Sequence, residues 1–289
     1  MNPDALTAEL QNLISTLKSA LPAPTPATDW QALAYRWRRH AHGGYLESVA
    51  DISPIRLGDL QNIERQKGEI RRNTEQFVRG LPANNVLLTG ARGCGKSSLV
   101  KALLNEFADT GLRVVEVDKD LLHELPEIIA LLRGRAEKFI IYCDDLSFND
   151  DDASYRALKV TLDGSLHAGA ENVIIYATSN RRHLLPEYMT DNLKTKVDER
   201  GEIHPGEAVE DKISLSDRFG LWLSFYANTQ DDYLRAVDHW LQHYGYVLDG
   251  EARAEALRFA QTRGNRSGRA ASQFARDWAG RQGLAKAGQ

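Results

Sequence analysis

Apolar residues recur along this chain with two periods. Leu6, Leu10, Leu13, Ile14, Leu17 and Leu21 fall at helical spacing, which predicts an amphipathic helix over residues 4–21. Pro22-Ala-Pro-Thr-Pro26 ends that helix and predicts a stiff, extended linker. A second helical pattern runs from Trp30 to His40. A third, from Gly58 to Gly80, leads through a turn into the apolar run after Asn85. From there short, largely apolar runs take over: Val114–Val117, Phe139–Cys143, Val173–Ala177 and Leu221–Tyr226, with helical patterns at Leu125–Leu132 and Tyr155–Leu166 between them. Continuous apolar strands alternating with helices predict an α/β fold whose parallel sheet is covered on both faces. Residues 229–280 hold no strand-like run and read as three helices. The predicted organisation is a helical N-terminal arm over 1–56 with its Pro-rich linker at 22–28, an α/β core over 57–228, and a helical unit over 229–289.

Composition narrows the class. The chain has 289 residues and a formal net charge of −4, so no global basic field recruits nucleic acid. No apolar stretch reaches membrane-spanning length. The opening Met1-Asn2-Pro3-Asp4 is neither cationic nor followed by the apolar segment of a secretory signal. A cytoplasmic protein is expected. The only cysteines, Cys94 and Cys143, argue against a disulfide framework. Trp37 lies among Arg36, Arg38 and Arg39. Such a cluster reads either as a nucleic-acid contact or as a core tryptophan beneath a solvated face.

The chemistry begins at Gly90-Ala-Arg-Gly-Cys-Gly-Lys-Ser97, placed between an apolar run and a helical pattern. Strand, glycine loop and helix are the context a phosphate-binding loop requires. Glycines let successive backbone N–H groups turn inward around an anion, and the helix aims its positive dipole end at the same place. Gly90, Ala91, Arg92, Gly93, Cys94, Gly95, Lys96, Ser97 and Ser98 are the candidate cradle, with Lys96 for the β- and γ-phosphates and Ser97 for Mg²⁺. Asp144 and Asp145 end the Phe139–Cys143 run. Two carboxylates at the end of a buried strand need a cation or protons, which assigns Asp144 to the metal and Asp145 to the attacking water. Asn180 closes the next apolar strand, where its amide would position that water. Arg218, just before the last strand, reads either as a finger acting on a neighbouring subunit or as a surface ion pair. Arg269 or Arg266 would reach the nucleotide from the start of the last helix, unless both belong to a solvated face. Cys94, inside the loop, reads either as a low-pKa, redox-sensitive thiol or as a small residue that the position tolerates. Residues 186–214 form a charged insertion, read as a solvated loop or as a partner-binding element.

Taken in order, these motifs resemble those of the AAA+ ATPases. Walker A looks like Gly90–Ser97, Walker B like Phe139–Asp145, sensor 1 like Asn180, the arginine finger like Arg218 and sensor 2 like Arg269. The wording around them is similar to that of bacterial single-module AAA+ proteins catalogued as a domain of unknown function. The resemblance implies a three-layer αβα core with a C-terminal helical lid, binding of ATP with Mg²⁺, ATP hydrolysis and homo-oligomers. By the same likeness Asn62-Ile63 would pack near the adenine. Two departures matter. Walker B usually ends Asp-Glu, and the shorter Asp145 implies slow hydrolysis or a nucleotide switch. The stretch Lys119–Leu125 lacks the aromatic and glycine of a peptide-threading pore loop. A loader or remodeller of an unknown protein client is the resulting expectation. A nucleotide-gated binding module and a DNA-associated loader are the alternatives.

Overall fold

The structure, a computed structural model, describes residues 26–40, 43–148, 153–163, 170–180, 196–197, 203–204 and 215–287. The helix expected over 4–21, the proline run up to residue 25 and most of the 186–214 insertion lie outside them. The elements in order are β1 (Ala34–His40), β2 (Gly43–Ser48), α1 (Glu64–Val78), β3 (Val86–Gly90), α2 (Lys96–Phe107), β4 (Leu112–Glu116), α3 (Leu125–Leu132), β5 (Lys138–Cys143), α4 (Ala153–Leu162), β6 (Val173–Ser179), β7 (Leu221–Phe225), α5 (Gln230–His243), α6 (Gly250–Arg263) and α7 (Gly268–Ala287). A two-residue ladder joins Lys196–Val197 to Ile203–His204.

The seven strands form one sheet in the order β2-β1-β4-β5-β6-β3-β7. All neighbours are parallel except the β1–β2 hairpin. The central strands β3, β5 and β6 are buried along almost their whole length, as continuous apolar runs should be. Alternate residues feed opposite faces. Leu87, Phe139, Ile141 and Ile175 face α3 and α4, whereas Val86, Leu88, Ile140 and Ile174 face α1 and α2. This is the three-layer α/β architecture the sequence predicted.

The helix expected over Trp30–His40 is a strand instead. Trp30, Leu33 and Trp37 fall at helical spacing, but Tyr35 and Trp37 alternate with Arg36 and Arg38, and that period of two prevails. Ala34–Arg36 pair with Val114–Glu116 of β4, about eighty residues away in sequence. Both aromatic rings are buried. The arginines above them pair with carboxylates: Arg36 with Glu116 at 2.8 Å, Arg38 with Glu47 at 2.8 Å and Arg39 with Glu124 at 3.2 Å. The basic cluster is therefore a charge-matched sheet surface over a core tryptophan.

Helices α5, α6 and α7 enclose a separate apolar cluster of Tyr233, Val237, Phe274 and Trp278 against Ala252, Ala256 and Ala271. Thr229 and Asp232 form a capping box at the start of α5, Asp249 caps α6, and Gly264 ends α6 in the left-handed conformation. This helical unit is tied to the sheet layer through the 57–63 segment. Asn62 Nδ2 donates to the Asp232 carbonyl (2.8 Å), Arg235 Nε donates to Asn62 Oδ1 (3.0 Å), and His239 lies 3.3 Å from Asp59.

The hairpin tolerates no side chain at one point. A Cβ on Gly44 would fall 1.7 Å from Cζ2 of Trp37. Gly44→Ala should lower stability by about 1–3 kcal/mol, read as a drop in the denaturant midpoint. An unchanged midpoint would show that the hairpin does not close over Trp37.

Candidate functional site

Strand β3 delivers the chain to Gly90, where it turns with φ 132°. A Cβ there would sit 1.9 Å from the Phe225 carbonyl of β7, so only glycine allows the two strands to end side by side. The next five residues arch over and enter α2 through Gly95, which has no side-chain cap. The first N–H groups of α2 have no intrahelical partners, and they open toward the hollow of the loop. The loop can therefore hold an anion through its backbone.

Lys96 is buried beneath this arch. Its ammonium donates to the carbonyls of Gly90 (2.7 Å) and Ala91 (2.9 Å) and to Oδ1 of Asn180 (3.0 Å). Burial lowers its pKa, an effect that Cys94, Asp144 and Asp145 only partly oppose. Ser97, one residue on, donates to Asp144 Oδ1 at 2.9 Å. The same oxygen accepts from Thr178 Oγ1 and from the Asp145 N–H (3.1 Å). Burial pushes the Asp144 carboxyl up, but the surrounding hydroxyls of Thr178, Tyr142 and Ser97 and the Asp145 amide outweigh it and hold it below the ordinary carboxylate range. Asp144 is thus kept ionised beside Ser97 at the mouth of the loop.

Asp145 occupies the left-handed region, φ 51°, which turns its side chain off the strand direction. Its amide also donates to Thr178 Oγ1 (2.9 Å), and its carboxylate accepts from Asn180 Nδ2 and lies 3.8 Å from Arg92. Asn180 therefore bridges Lys96 and Asp145 with the two ends of one carboxamide. A hydroxyl and a lone carboxylate suit a divalent cation only if phosphate oxygens and waters complete its shell. No cluster of three or more His, Cys, Asp or Glu able to hold a metal exists among the described residues.

The remaining predicted residues divide. Ile63 is buried with its Cδ1 3.7 Å from the Cβ position of Gly95, so Asn62-Ile63 links the loop to α5. At the start of α7, Ser267 abuts Gly93: a Cβ there would lie 2.6 Å from Ser267 Cβ and 3.7 Å from Arg269 Cβ. Arg269 is thereby set at the loop. Arg218 is not. Val86 is level with Leu221 and Gly90 with Phe225, so Arg218 stands at the opposite end of the sheet from the loop, where it pairs with Asp163 at the end of α4.

Of the two readings of Cys94, the low-pKa thiol fails. Burial raises its thiol pKa against the pull of Lys96, and its Sγ lies 3.1 Å from the Tyr226 carbonyl. Desolvation outweighs the positive loop. Thr178 and Tyr142 were missed in the sequence. Both stand on the strand face that carries Asp144 and could have been found by period-two alternation, Tyr142 two residues before it and Thr178 on the neighbouring strand.

The family model described as Protein of unknown function (DUF815) matches residues 30–282. A variant of Thermotoga maritima RuvB is similar in structure, with a TM-score of 0.53 and 14% identity over 78% of this chain and 64% of that one. RuvB is described as a Holliday junction branch migration motor. The FIGL-1 AAA domain in complex with ADP is similar with a TM-score of 0.50 and 18% identity, covering 79% of this chain and 74% of that one. Aeropyrum pernix ORC1 in complex with DNA is similar with a TM-score of 0.51 and 13% identity, covering 74% and 58%. At these identities the likeness is one of fold, the AAA+ fold. The replication factor C large subunit of Staphylothermus marinus is 34% identical over 71 residues, 24% of this chain and 16% of that protein. The chain thus spans under two thirds of the RuvB chain and a sixth of that subunit. Among the described residues no helix is long and apolar enough to cross a membrane.

The thiol geometry has a measurable consequence. Cys94 is held above its ordinary pKa, and Cys143, fully buried, is pushed up to about 12. A raised pKa leaves less thiolate at neutral pH, and thiolate is the reactive form. Iodoacetamide should label the folded protein more slowly than free cysteine at pH 7, with the rate climbing only as pH passes the ordinary thiol range. Rapid labelling of Cys94 at pH 7, located by peptide mass, would contradict the site's electrostatics.

Proposed function

The chain belongs to the family described as Protein of unknown function (DUF815), and from that membership and the geometry above we propose that it is an AAA+ ATPase that binds Mg²⁺–ATP at the Gly90–Ser98 loop. The seven-stranded sheet from β1 to β7 and the helices that cover it act as the nucleotide-binding core, which thus begins before residue 57, and 229–289 act as its lid. The convergence of Lys96, Asn180 and Asp145 in one hydrogen-bonded chain, with Ser97 and Asp144 beside it, supports this reading best. Lys96 neutralises the β- and γ-phosphates, leaving its carbonyl partners for phosphate oxygens. Ser97 and Asp144 hold Mg²⁺, which supplies charge neutralisation on the phosphates. Asp145 polarises the attacking water and Asn180 positions it. Asn62 and Ile63 line the adenine side. Arg269, rather than Arg266, serves as the lid's phosphate contact, because its Cβ is set against Gly93.

The position of Arg218 supports action between subunits. Leu221 and Phe225 are four residues apart, about 13 Å along a strand, and Arg218 precedes Leu221. It is therefore too far to serve its own chain's phosphates. In a homo-oligomer it would leave Asp163 for a neighbour's γ-phosphate. The product of such a cycle is motion of the lid against the core, used to remodel or load a protein client. Threading is disfavoured, because the Lys119–Glu124 turn is anchored: Glu124 accepts from Trp37 Nε1 and pairs with Arg39.

Lys96→Ala should abolish ATP binding, measured by equilibrium dialysis. Arg218→Ala should keep ATP affinity within about twofold while turnover falls roughly 10³-fold or more. Wild-type specific activity should rise with protein concentration. Turnover that depends on neither concentration nor Arg218 would defeat the intersubunit arrangement.

One feature favours a second reading, a nucleotide-gated switch with negligible hydrolysis. Asp145 is short, and its carboxylate is already engaged by Asn180. Single-turnover measurement of phosphate release separates the two. The ATPase reading expects release that is lost in Asp145→Asn, whereas a switch expects none from either protein.

A further inference from the structure

Tyr142 and Tyr176 are register partners on β5 and β6 and point into the same layer beneath α1 and α2. Both are almost wholly buried. Their hydroxyls fare differently. Tyr176 OH meets Thr74 Oγ1 at 2.8 Å and accepts from Asn73 Nδ2 at 3.1 Å. Tyr142 OH faces Asp144, Ser97 and Thr178, yet it completes a hydrogen bond of good geometry with no protein group. Those neighbours already serve one another, since Ser97 and Thr178 both donate to Asp144 Oδ1.

A buried hydroxyl without a partner is destabilising, and phenylalanine would fill the same apolar layer without it. The residue stands two positions before Asp144 on one strand, so it shares that carboxylate's face. Its oxygen is sealed from water and lies behind the carboxylate and the hydroxyl that would hold a cation.

We infer that Tyr142 is a positioning residue for the divalent cation: its hydroxyl donates toward Asp144 from behind the ion and orients that carboxylate. This rests on the nucleotide-site reading above. The hydroxyl then fixes the angle at which the carboxylate meets the ion. Partners of this kind, one step removed from a metal, commonly change its affinity 10–100-fold. The nucleotide's own contacts, through the loop backbone and Lys96, are left alone.

The test uses the full chain with ADP and Mn²⁺ as the metal probe. Free Mn²⁺ is followed by electron paramagnetic resonance, and ADP affinity is measured separately in EDTA. Tyr142→Phe should raise the Mn²⁺ Kd roughly tenfold, leave metal-free ADP affinity unchanged, and hold or raise the thermal midpoint of the nucleotide-free protein. Tyr176→Phe, which removes a satisfied hydroxyl, should lower that midpoint and leave the Mn²⁺ Kd alone. An unchanged Mn²⁺ Kd in Tyr142→Phe overturns the inference. So does a loss of metal-free ADP affinity accompanied by a lower midpoint, because it marks a purely structural role. A wild-type protein that binds no ADP overturns the nucleotide-site reading and this inference with it, whereas one that binds ADP but takes up no Mn²⁺ overturns this inference alone. Either outcome is recognised before any variant is made.

Discussion

The buried ammonium of Lys96 needs oxygen on every side, and the loop supplies it from its own backbone. Two carbonyls come from Gly90 and Ala91, and the third partner, Asn180, comes from the neighbouring strand β6. An ammonium can be held there only if the loop closes tightly enough for its carbonyls to turn inward, which is where Gly90 matters. Lys96 is also what brings Asn180, and through it Asp145, to the mouth of the loop. Strand order, loop closure and the placing of the polar groups thus answer to one charge that has been taken out of water.

The lid is joined to this arrangement at two separated places. Asn62 reaches across to α5, while Ser267 at the head of α7 abuts Gly93. One contact precedes the loop in sequence and the other follows the core, so the lid grips the loop from both flanks. Its own cohesion comes from a separate apolar cluster. A unit with its own core that meets its neighbour through a few polar bonds can pivot as a body, as hinge closure requires.

The sheet was legible because its central strands are unbroken apolar runs, a signal that does not depend on partners. The glycine loop, the Asp144-Asp145 pair and Asn180 were legible because each sits at a strand end, where polarity changes abruptly. Trp30–His40 was not, because its strand character comes from pairing with β4 far along the chain, and the tryptophans happen to repeat at helical spacing. Arg218 was legible as a residue type, but its partner Asp163 was not, since α4 ends beside it only in three dimensions. The two readings of Cys94 could not be separated for a related reason: sequence reveals the positive loop but not the desolvation that outweighs it. The hydroxyls of Thr178 and Tyr142 were hidden in apolar strands, where Thr and Tyr also serve as ordinary strand formers.

Gly93 has no side chain, and the space a methyl would need is taken by Ser267. Most contacts between moving parts are cushioned by flexible side chains that absorb an ångström of travel. Here backbone meets a short capping residue at the head of a twenty-residue helix. Displacement at the far end of α7, about 30 Å away at 1.5 Å per residue, therefore reaches the loop as leverage with little slack. The helix is built as a rigid lever whose fulcrum bears directly on the backbone of the Gly90–Ser97 loop.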